Sequence, residues 1–290
     1  MEKKKSEMSL VEKVYKETFS MFKNNSRVLQ PFLIFALIEL SALIFVYLIP
    51  RAPLSHVFGP IVRTFWGERF LHYPANFLLL PKLASLSRMF LSILFGSLLT
   101  AMAVSIVSAA QHKKNIGLRL AFKACIKKYL LVFALVLITT ILLYLCGKLF
   151  TFVLMKYFLA RHAKLLFFGP TIWFGPVLLC FNFLVAILVQ SLFAYAIPAI
   201  IIGNSRFIKA IGESFILFKK FSLTTLIIVG LPLVIYIPIA ILNSNSLLII
   251  EKSYPEVILI VAVFSTGLTS LVIDPLVTVA TSILYLTKKD

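Results

Sequence analysis

The sequence predicts an all-α, polytopic membrane protein with six transmembrane helices and three amphipathic helices on the cytoplasmic side. Of its 290 residues, 60% are hydrophobic and 14% are charged, and the mean hydropathy is +1.00. These values lie outside the range of soluble globular proteins. Crossing about 30 Å of hydrocarbon takes about 20 apolar residues at roughly 1.5 Å each. The runs that are long enough are 28–49, 86–110, 129–153, 174–202, 221–242 and 257–286.

The net charge of +18 is distributed in step with these spans. Lys and Arg are dense before span one, at 113–128, at 206–220 and at the C-terminus. Cytoplasmic loops of membrane proteins carry this excess of basic residues, so both termini are predicted to be cytoplasmic. Basic segments beside a span normally meet anionic lipid headgroups. Membrane lipids are therefore the expected partners of these segments, and nucleic acid is not.

The junction at 195–220 shows how a span is expected to meet a surface helix. The apolar run ends at Pro198 and Gly203, and Ser205 is predicted to cap a new helix. Isoleucine and phenylalanine then recur at helical spacing, at 208, 211, 215 and 218. A helix with this stripe and with Lys and Glu largely elsewhere is expected to lie along the membrane surface.

Two further segments have the same design. Ser9-Leu-Val-Glu12 has the pattern of a capping box, which predicts that the first amphipathic helix opens there. An offset of 196 places Ser9 on Ser205, Lys13 on Lys209, Glu17 on Glu213 and Phe22 on Phe218. The segment 116–131 resembles both. The single membrane domain 1–290 is therefore predicted to contain three parallel units, 9–110, 111–203 and 204–290. Chance similarity between basic amphipathic helices is the alternative.

Span six contains a polar residue at every fourth position. The series is Thr266, Ser270, Asp274, Thr278 and Ser282, which predicts one helix face that is polar from end to end. Pro275 has no N–H to donate to the carbonyl of residue 271, so an additional acceptor is freed beside Asp274. A charge exposed to lipid at the bilayer centre costs at least a few kcal/mol. The polar face is therefore predicted to point into the bundle.

Glu39 of span one is expected at a depth similar to that of Asp274. No Lys or Arg is expected at that level, because Lys148 and Lys156 belong to the outer end of span three. Gln190 and Asn182 of span four are the candidate neutral partners. Two alternatives follow: protonated, hydrogen-bonded acids that join helices, or a polar site for binding or translocation that faces water or a cation.

Two features predict packing rather than chemistry. The first is the ladder of small residues Ser97, Ala101, Ser105 and Ala109, which lets helix backbones approach closely and predicts that span two lies at the bundle centre. The second is the placement of Pro198, Gly230, Pro232 and Pro238 in spans four and five, which predicts kinks there.

The outer connections are rich in aromatic and basic residues. The segment 56–82 predicts either an interfacial helix at the headgroup level or a lid over a central cavity. A second interfacial segment is predicted around Arg161 and Lys164, with aromatic residues at 157, 158, 167, 168, 173 and 174.

Signatures of catalysis are missing from the sequence. HExxH, GxSxG and glycine-rich phosphate loops do not occur. His56, His72 and Glu68 share the first outer connection without the spacing of a metal site. Cys125, Cys146 and Cys180 are odd in number and lie in or beside spans, which favours packing. No enzyme activity, cofactor or metal is therefore expected.

Several short motifs carry a resemblance. They are AYAIPAIIIGN at 194–204, KAIGESFILFKK after it, DPLVTVATSILYLTKKD at the C-terminus and VYKETFSMFKNNSRVLQPFLIF near the N-terminus. With these motifs the chain resembles an uncharacterised prokaryotic family of six-span proteins, similar to the membrane domain of some glycerophosphodiester phosphodiesterases. The outer segment 50–85 departs from that family. The resemblance implies a role within a prokaryotic cytoplasmic (inner) membrane, without phosphodiesterase catalysis.

The expected function is the handling or transport of a lipid or small amphiphile at a polar site between the spans. The alternative is a structural scaffold or accessory subunit, which predicts a dry bundle and an apolar surface for a protein partner or a second copy.

Overall fold

Helices make up every regular element that the structure describes. The computed structural model describes residues 2–162 and 170–289. The α-helices in chain order are α1 (Glu2–Asn24), α2 (Gln30–Leu48), α3 (Leu54–Phe65), α4 (Asn76–Leu91), α5 (Ser97–Gln111), α6 (Leu118–Ile126), α7 (Tyr129–His162), α8 (Pro170–Phe193), α9 (Ala196–Ile201), α10 (Phe207–Lys220), α11 (Ser222–Val234), α12 (Ile237–Ser244), α13 (Ser246–Lys252), α14 (Val257–Leu268) and α15 (Asp274–Lys289). The predicted all-α class is confirmed.

The lengths of these helices suit a multi-pass membrane protein. Within the described ranges, the five helical stretches that are long and apolar enough to cross a membrane are Ser26–Leu48, Asn76–Gln111, Tyr129–Lys156, Gly175–Ile201 and Val257–Thr287. The number becomes six if the bent pair α10–α11 is counted as one span. Because α11 has 13 residues, it covers about 20 Å, and α12 is needed to complete the fifth span. The 99° bend sets α10 nearly perpendicular to α11.

Three spans change course where a proline removes a backbone donor. Span four breaks between α8 and α9, and span five breaks between α11 and α12. Pro198 follows Ala194, which lies in the first break, by four residues, and Pro238 follows Val234, the last residue of α11, by four residues. Neither proline has an N–H to donate to the carbonyl of that residue. In span six, Pro275 follows a π-helical segment at Thr269–Ile273. The structure therefore breaks both spans that the sequence predicts to kink.

The spans pack as three helical hairpins in a ring. Within hairpins, α2 contacts α4 and α5, α7 contacts α8, and α11 contacts α15. Between hairpins, α5 contacts α7, α8 contacts α11, and α14 contacts α2, which closes the ring. The second span of each hairpin also lies inward, since α5, α9 and α15 contact one another. On α5, Ser97 and Ala101 are buried at this centre.

The three amphipathic helices pack against these inner spans. Helix α1 contacts α15 and α11, α6 contacts α5, and α10 contacts α9 and α8. Each buries a pair of residues four positions apart, which are Val14 and Thr18, Ala121 and Cys125, and Ala210 and Ser214. This is the packing that a threefold repeat would produce; the repeat itself stays a prediction.

Both predicted helix starts are wrong. Helix α1 begins at Glu2, so Ser9 lies inside it, because Lys and Glu before Ser9 favour helix and extend it. Helix α10 begins at Phe207 with Arg206 as its N-cap residue. The Ser205 hydroxyl instead donates to Glu213 Oε1 at 2.7 Å. Ser205 therefore binds a side chain within the helix and does not accept from a backbone N–H as a capping serine would.

Small residues of α10, not its large apolar ones, make its closest contact with the bundle. Ala210 and Ser214 are fully buried, whereas Ile208 is 83% exposed and Phe215 is 42% exposed. The Ser214 hydroxyl donates to the Leu192 carbonyl at 2.6 Å and accepts from the backbone N–H of residue 195 at 3.2 Å. These bonds hold the small residues against span four. Ile208 and Phe215 are consequently left on the outward surface, where lipid can cover them.

The first outer connection forms a small core of its own. Val62 of α3 and Phe77 and Leu80 of α4 are buried with Leu43 of span one and Ile258 of span six. An exposed ion pair, Arg63 with Glu68 at 3.3 Å, closes the segment. The connection therefore packs on the outer ends of spans one, two and six. The side chains of the second predicted interfacial segment, at 157–174, lie outside the described residues.

The topology can be checked by cysteine accessibility. With the native cysteines replaced, Lys123→Cys and Lys219→Cys should react with a membrane-impermeant maleimide only from the cytoplasmic side, because basic loops stay inside. Arg63→Cys and Lys252→Cys should react only from outside. Labelling of Lys123→Cys and Arg63→Cys from one and the same side would contradict the six-span arrangement.

The orientation of α10 can be checked with spin labels. A label at Ile208→Cys should be relaxed more by oxygen, which concentrates in lipid, than by a water-soluble nickel chelate, because this residue points away from the bundle. The matched label at Lys209→Cys, about 100° around the helix, should show the opposite order. Equal relaxation by the chelate at both positions would contradict a membrane-surface helix.

Candidate functional site

An arginine joins two carboxylates in the interior of the bundle. Arg88 Nε lies 3.1 Å from Glu39 Oε1, and Arg88 Nη2 lies 3.6 Å from Asp274 Oδ2. Arg88 Nη1 donates to Thr269 Oγ1, and the Ser270 hydroxyl donates to the second carboxylate oxygen of Glu39. Spans one, two and six are thus joined by one network of charge-assisted hydrogen bonds and ion pairs.

The expectation that no Lys or Arg shares this level is wrong. It depended on starting span two at residue 86, which would place Arg88 at the outer interface. The helix starts ten residues earlier, at Asn76, because Phe77, Leu79 and Leu80 find a buried apolar environment at the outer ends of the neighbouring spans. About three further turns of helix therefore lie outside Arg88 and carry it inward.

The two carboxylates have different surroundings. The Glu39 side chain is 2% exposed and is held by both Arg88 and Ser270. The Asp274 side chain is 42% exposed, and its 3.6 Å contact with Arg88 is too long for a normal hydrogen bond. It lines a partly open cavity between the spans. Glu39 and Arg88 therefore form a closed pair, and Asp274 is the acid that a bound molecule can reach.

The polar residues of span six do not form one continuous face, contrary to the prediction. Ser270 is buried toward Glu39 of span one, whereas Asp274 and Thr278 line the cavity. The π-helical segment Thr269–Ile273 accounts for this divergence, because its wider turn changes the direction of the residues that follow. Ser282 is buried and donates to the Thr278 carbonyl at 2.6 Å.

Thr266 occupies a third position. Its hydroxyl donates to the Ala262 carbonyl at 3.0 Å, and its side chain lines a separate small cavity on the outer side of Arg88. It therefore lies outward of the network, and the ion pairs stand between it and Asp274.

The central cavity has a volume of about 770 Å³ and is bounded by spans one, two, four, five and six. Gln190 and Asn182 of span four both line it, as does Tyr236 of span five. Most of the remaining wall is apolar; it includes Phe32, Phe35, Leu99, Leu178, Leu179, Phe183, Ala186, Leu233, Ile237, Ile273 and Val277. Among its described lining residues, Arg88 and Asp274 are the charged ones. The cavity therefore combines a charged pair with an extended apolar wall.

Two smaller cavities adjoin the central one. A cavity of about 300 Å³ shares Arg88, Tyr236 and Ala240 with it and extends toward the outer ends of the spans, to Pro81 and Asn243. A cavity of about 250 Å³ shares Gln190 and Thr278, among others, and extends toward the opposite ends of the spans, where Pro198 and Thr281 line it. Both smaller cavities therefore share part of their walls with the central one.

Sequence reasoning missed Arg88, Thr269 and Tyr236. The mostly apolar residues at 77–91 were the sequence feature that could have revealed Arg88. They indicate a helix that begins farther out, which places Arg88 inside the span. The partners of Thr269 depend on which way the π-helical turn directs it, and no periodicity gives that. Tyr236 hydrogen-bonds Ser265 through its hydroxyl at 3.1 Å, so it bridges spans five and six beside the cavity.

The remaining candidates lie outside this site. On span two, Ser97 donates to the Ile93 carbonyl at 2.7 Å and Ala101 is buried; Ser105 and Ala109 follow on the same helix and are half-buried. Cys125 is buried in α6, and this burial raises the pKa of its thiol to about 11, which makes it a poor nucleophile. In the described part of the chain, no three His, Cys, Asp or Glu side chains converge as metal ligands would.

The Glu39–Arg88 ion pair is expected to contribute to the stability of the folded protein. Arg88→Leu leaves Glu39 buried without its counter-ion, which should destabilise the protein by roughly 3–5 kcal/mol and lower its melting temperature in detergent. The double variant Glu39→Leu, Arg88→Leu should recover most of this loss, since a buried pair can often be replaced by apolar side chains.

The matched control is the exposed pair of the outer connection. Arg63→Leu should cost less than about 1 kcal/mol, because both partners are more than half exposed. Equal melting temperatures for Arg88→Leu and the parent protein would show that the ion pair does not hold the spans together.

Comparison of the chain with protein-family models, with curated proteins and with solved structures gave no match. Its function therefore has to be inferred from the site.

Proposed function

We propose that this protein is a non-catalytic integral membrane protein that binds and transports a lipid or small amphiphile in the central cavity. The main support for this proposal is the volume of the central cavity together with the chemistry of the residues that line it. A volume of about 770 Å³ lies within the roughly 300–1,000 Å³ typical of ligand sites, which are mostly apolar with a few placed polar groups. Arg88 and Asp274 would meet the polar end of the molecule.

The apolar wall is suited to a hydrocarbon chain. Phe32 and Phe35 of span one, Leu178 and Phe183 of span four, and Leu233 of span five line the same cavity as the charged pair. Burying a methylene group against such a wall contributes about 0.8 kcal/mol. An amphiphile would satisfy both halves of this site, whereas a small ion or a wholly polar solute would leave the apolar wall unused.

Two further features support movement of the bound molecule rather than storage. The smaller cavities extend the central one toward both ends of the spans. Spans four and five, which form much of the wall, are broken at prolines, and broken helices occur at transporter sites. Movement past Arg88 would require the guanidinium to release Asp274 while it keeps Glu39.

The proposal includes a location. The protein would lie in the cytoplasmic (inner) membrane of a prokaryote, as the resemblance implies, with both termini in the cytoplasm, which the distribution of basic residues supports. Lys209, Lys219 and Lys220 on the exposed side of α10 would then meet anionic headgroups of the inner leaflet.

A scaffold role is the second candidate, and one observation favours it. The most apolar stretches of spans three and four are each 11% buried, against 56% for span two. These two spans therefore present a large apolar surface outward, which lipid covers in a transporter and which a protein partner or a second copy would cover in a scaffold.

A cavity-filling variant separates the two functions. Ala186 lines the cavity, so Ala186→Phe should reduce the lipid that co-purifies with the protein and slow the transfer of fluorescent lipid in reconstituted vesicles. The control is Leu184→Phe, which adds an aromatic ring on the same helix at a side chain that is 58% exposed. Equal lipid content and transfer for both variants would favour the scaffold.

Asp274 provides an independent test. Asp274→Asn keeps the size and hydrogen bonding of the side chain but removes its charge, so transfer should fall while the melting temperature is kept within a few degrees. Asp274→Leu should lose transfer as well. Normal transfer with Asn but loss of folding with Leu would instead make Asp274 a structural link between helices.

A further inference from the structure

The charges around the central cavity do not balance. Two carboxylates, Glu39 and Asp274, share the single guanidinium of Arg88. Glu39 makes the shorter ion pair, is almost fully buried and accepts a hydrogen bond from Ser270. The positive charge of Arg88 is thus committed to Glu39. Asp274 is left with a negative charge that is only partly compensated.

The uncompensated charge is also the accessible one. Asp274 has 42% of its side chain exposed, and it lines the cavity beside the neutral polar groups Gln190 and Thr278. A carboxylate in a cavity with mostly apolar walls attracts a cation strongly, because the effective dielectric constant there is far below that of water. A carboxylate or phosphate at the same place would be repelled.

We infer that the central cavity selects amphiphiles whose polar end carries an ammonium group. The ammonium binds the Asp274 carboxylate, with Gln190 and Thr278 as further hydrogen-bond acceptors for its N–H groups. The hydrocarbon chain lies against the apolar wall. This inference rests on the proposed function, since it names the substrate class of the same site.

Arg88 has a complementary part in this selection. The guanidinium donates a hydrogen bond to Thr269 and forms ion pairs with Glu39 through Nε and with Asp274 through Nη2. Its side chain is 29% exposed and lines the cavity, so it would offer hydrogen-bond donors, and not an unpaired charge, to a phosphate that lies next to the ammonium. The same chemistry therefore accommodates a free alkylamine or the headgroup of an aminophospholipid.

The test is a competition at neutral pH with purified full-length protein in a neutral detergent. Dodecylammonium, dodecanol and dodecanoate have the same chain length and differ in charge, and native mass spectrometry reports which of them is bound. We expect dodecylammonium to bind at least about tenfold more tightly than dodecanol, which corresponds to about 1.4 kcal/mol, and dodecanoate to bind most weakly.

Two variants should remove this preference. Asp274→Asn deletes the carboxylate, so dodecylammonium and dodecanol should then bind about equally. Glu39→Gln should have the same effect although Glu39 does not line the cavity, because Arg88 is then free to neutralise Asp274. Glu68→Gln, in the exposed outer connection, is the control and should keep the preference.

A second competition identifies the source of the ammonium. Phosphatidylethanolamine and phosphatidylglycerol with matched acyl chains differ in headgroup charge. An Asp274-dependent preference for phosphatidylethanolamine supports a membrane phospholipid, and a preference seen only with dodecylammonium supports a free alkylamine. Both outcomes uphold the inference.

The inference is overturned if the parent protein binds dodecanol as tightly as dodecylammonium, as a protonated Asp274 would cause, or if Asp274→Asn keeps the preference. The proposed function survives that result, because an amphiphile is still bound. Absence of binding by every probe, with no effect of Ala186→Phe on co-purified lipid, overturns the proposed function together with the inference.

Discussion

A guanidinium shared between two carboxylates, inside a bundle that lies in hydrocarbon, constrains how the spans can pack. A charge in the membrane interior is tolerated when it is paired or faces water, and the partners of Arg88 come from spans one and six. These spans are therefore held beside span two at one depth. Spans four and five carry no described charge at this level, so they are free to form the remaining walls of the cavity around the exposed Asp274.

Proline residues give the walls their shape. A transmembrane helix satisfies its backbone polar groups internally, and each proline leaves one carbonyl without its usual donor. Where Pro198 and Pro238 do so, the helix is interrupted. Where Pro275 does so, the preceding turn widens into a π-helical segment, which directs Ser270 to Glu39 and Asp274 to the cavity. The polar site thus depends on local backbone irregularity as much as on side-chain identity.

Sequence periodicity predicted the spans well because hydropathy over 20 residues averages out local detail. It failed where one residue or one turn decides the outcome. Starting span two ten residues late hid Arg88 from the site. A regular 3.6-residue period placed Ser270 and Asp274 on one face, which the π-helical turn separates. Ser205 was expected to cap a helix, but its hydroxyl donates to the carboxylate of Glu213 and Arg206 is the N-cap residue. Such competition between partners depends on tertiary packing.

The two π-helical segments indicate why the charged network lies among spans one, two and six. Ser92–Gly96 in span two and Thr269–Ile273 in span six have equal length, and each lies in the second span of its predicted unit. Aligning the segments places Ser97 on Asp274, and both side chains directly follow the wide turn. Ser97 is buried and donates to its own helix, whereas Asp274 faces the cavity. In the predicted repeat, this exchange of a hydroxyl for a carboxylate adds to the charges of Glu39 and Arg88 in the first unit, so charge accumulates at the junction that joins span six to span one.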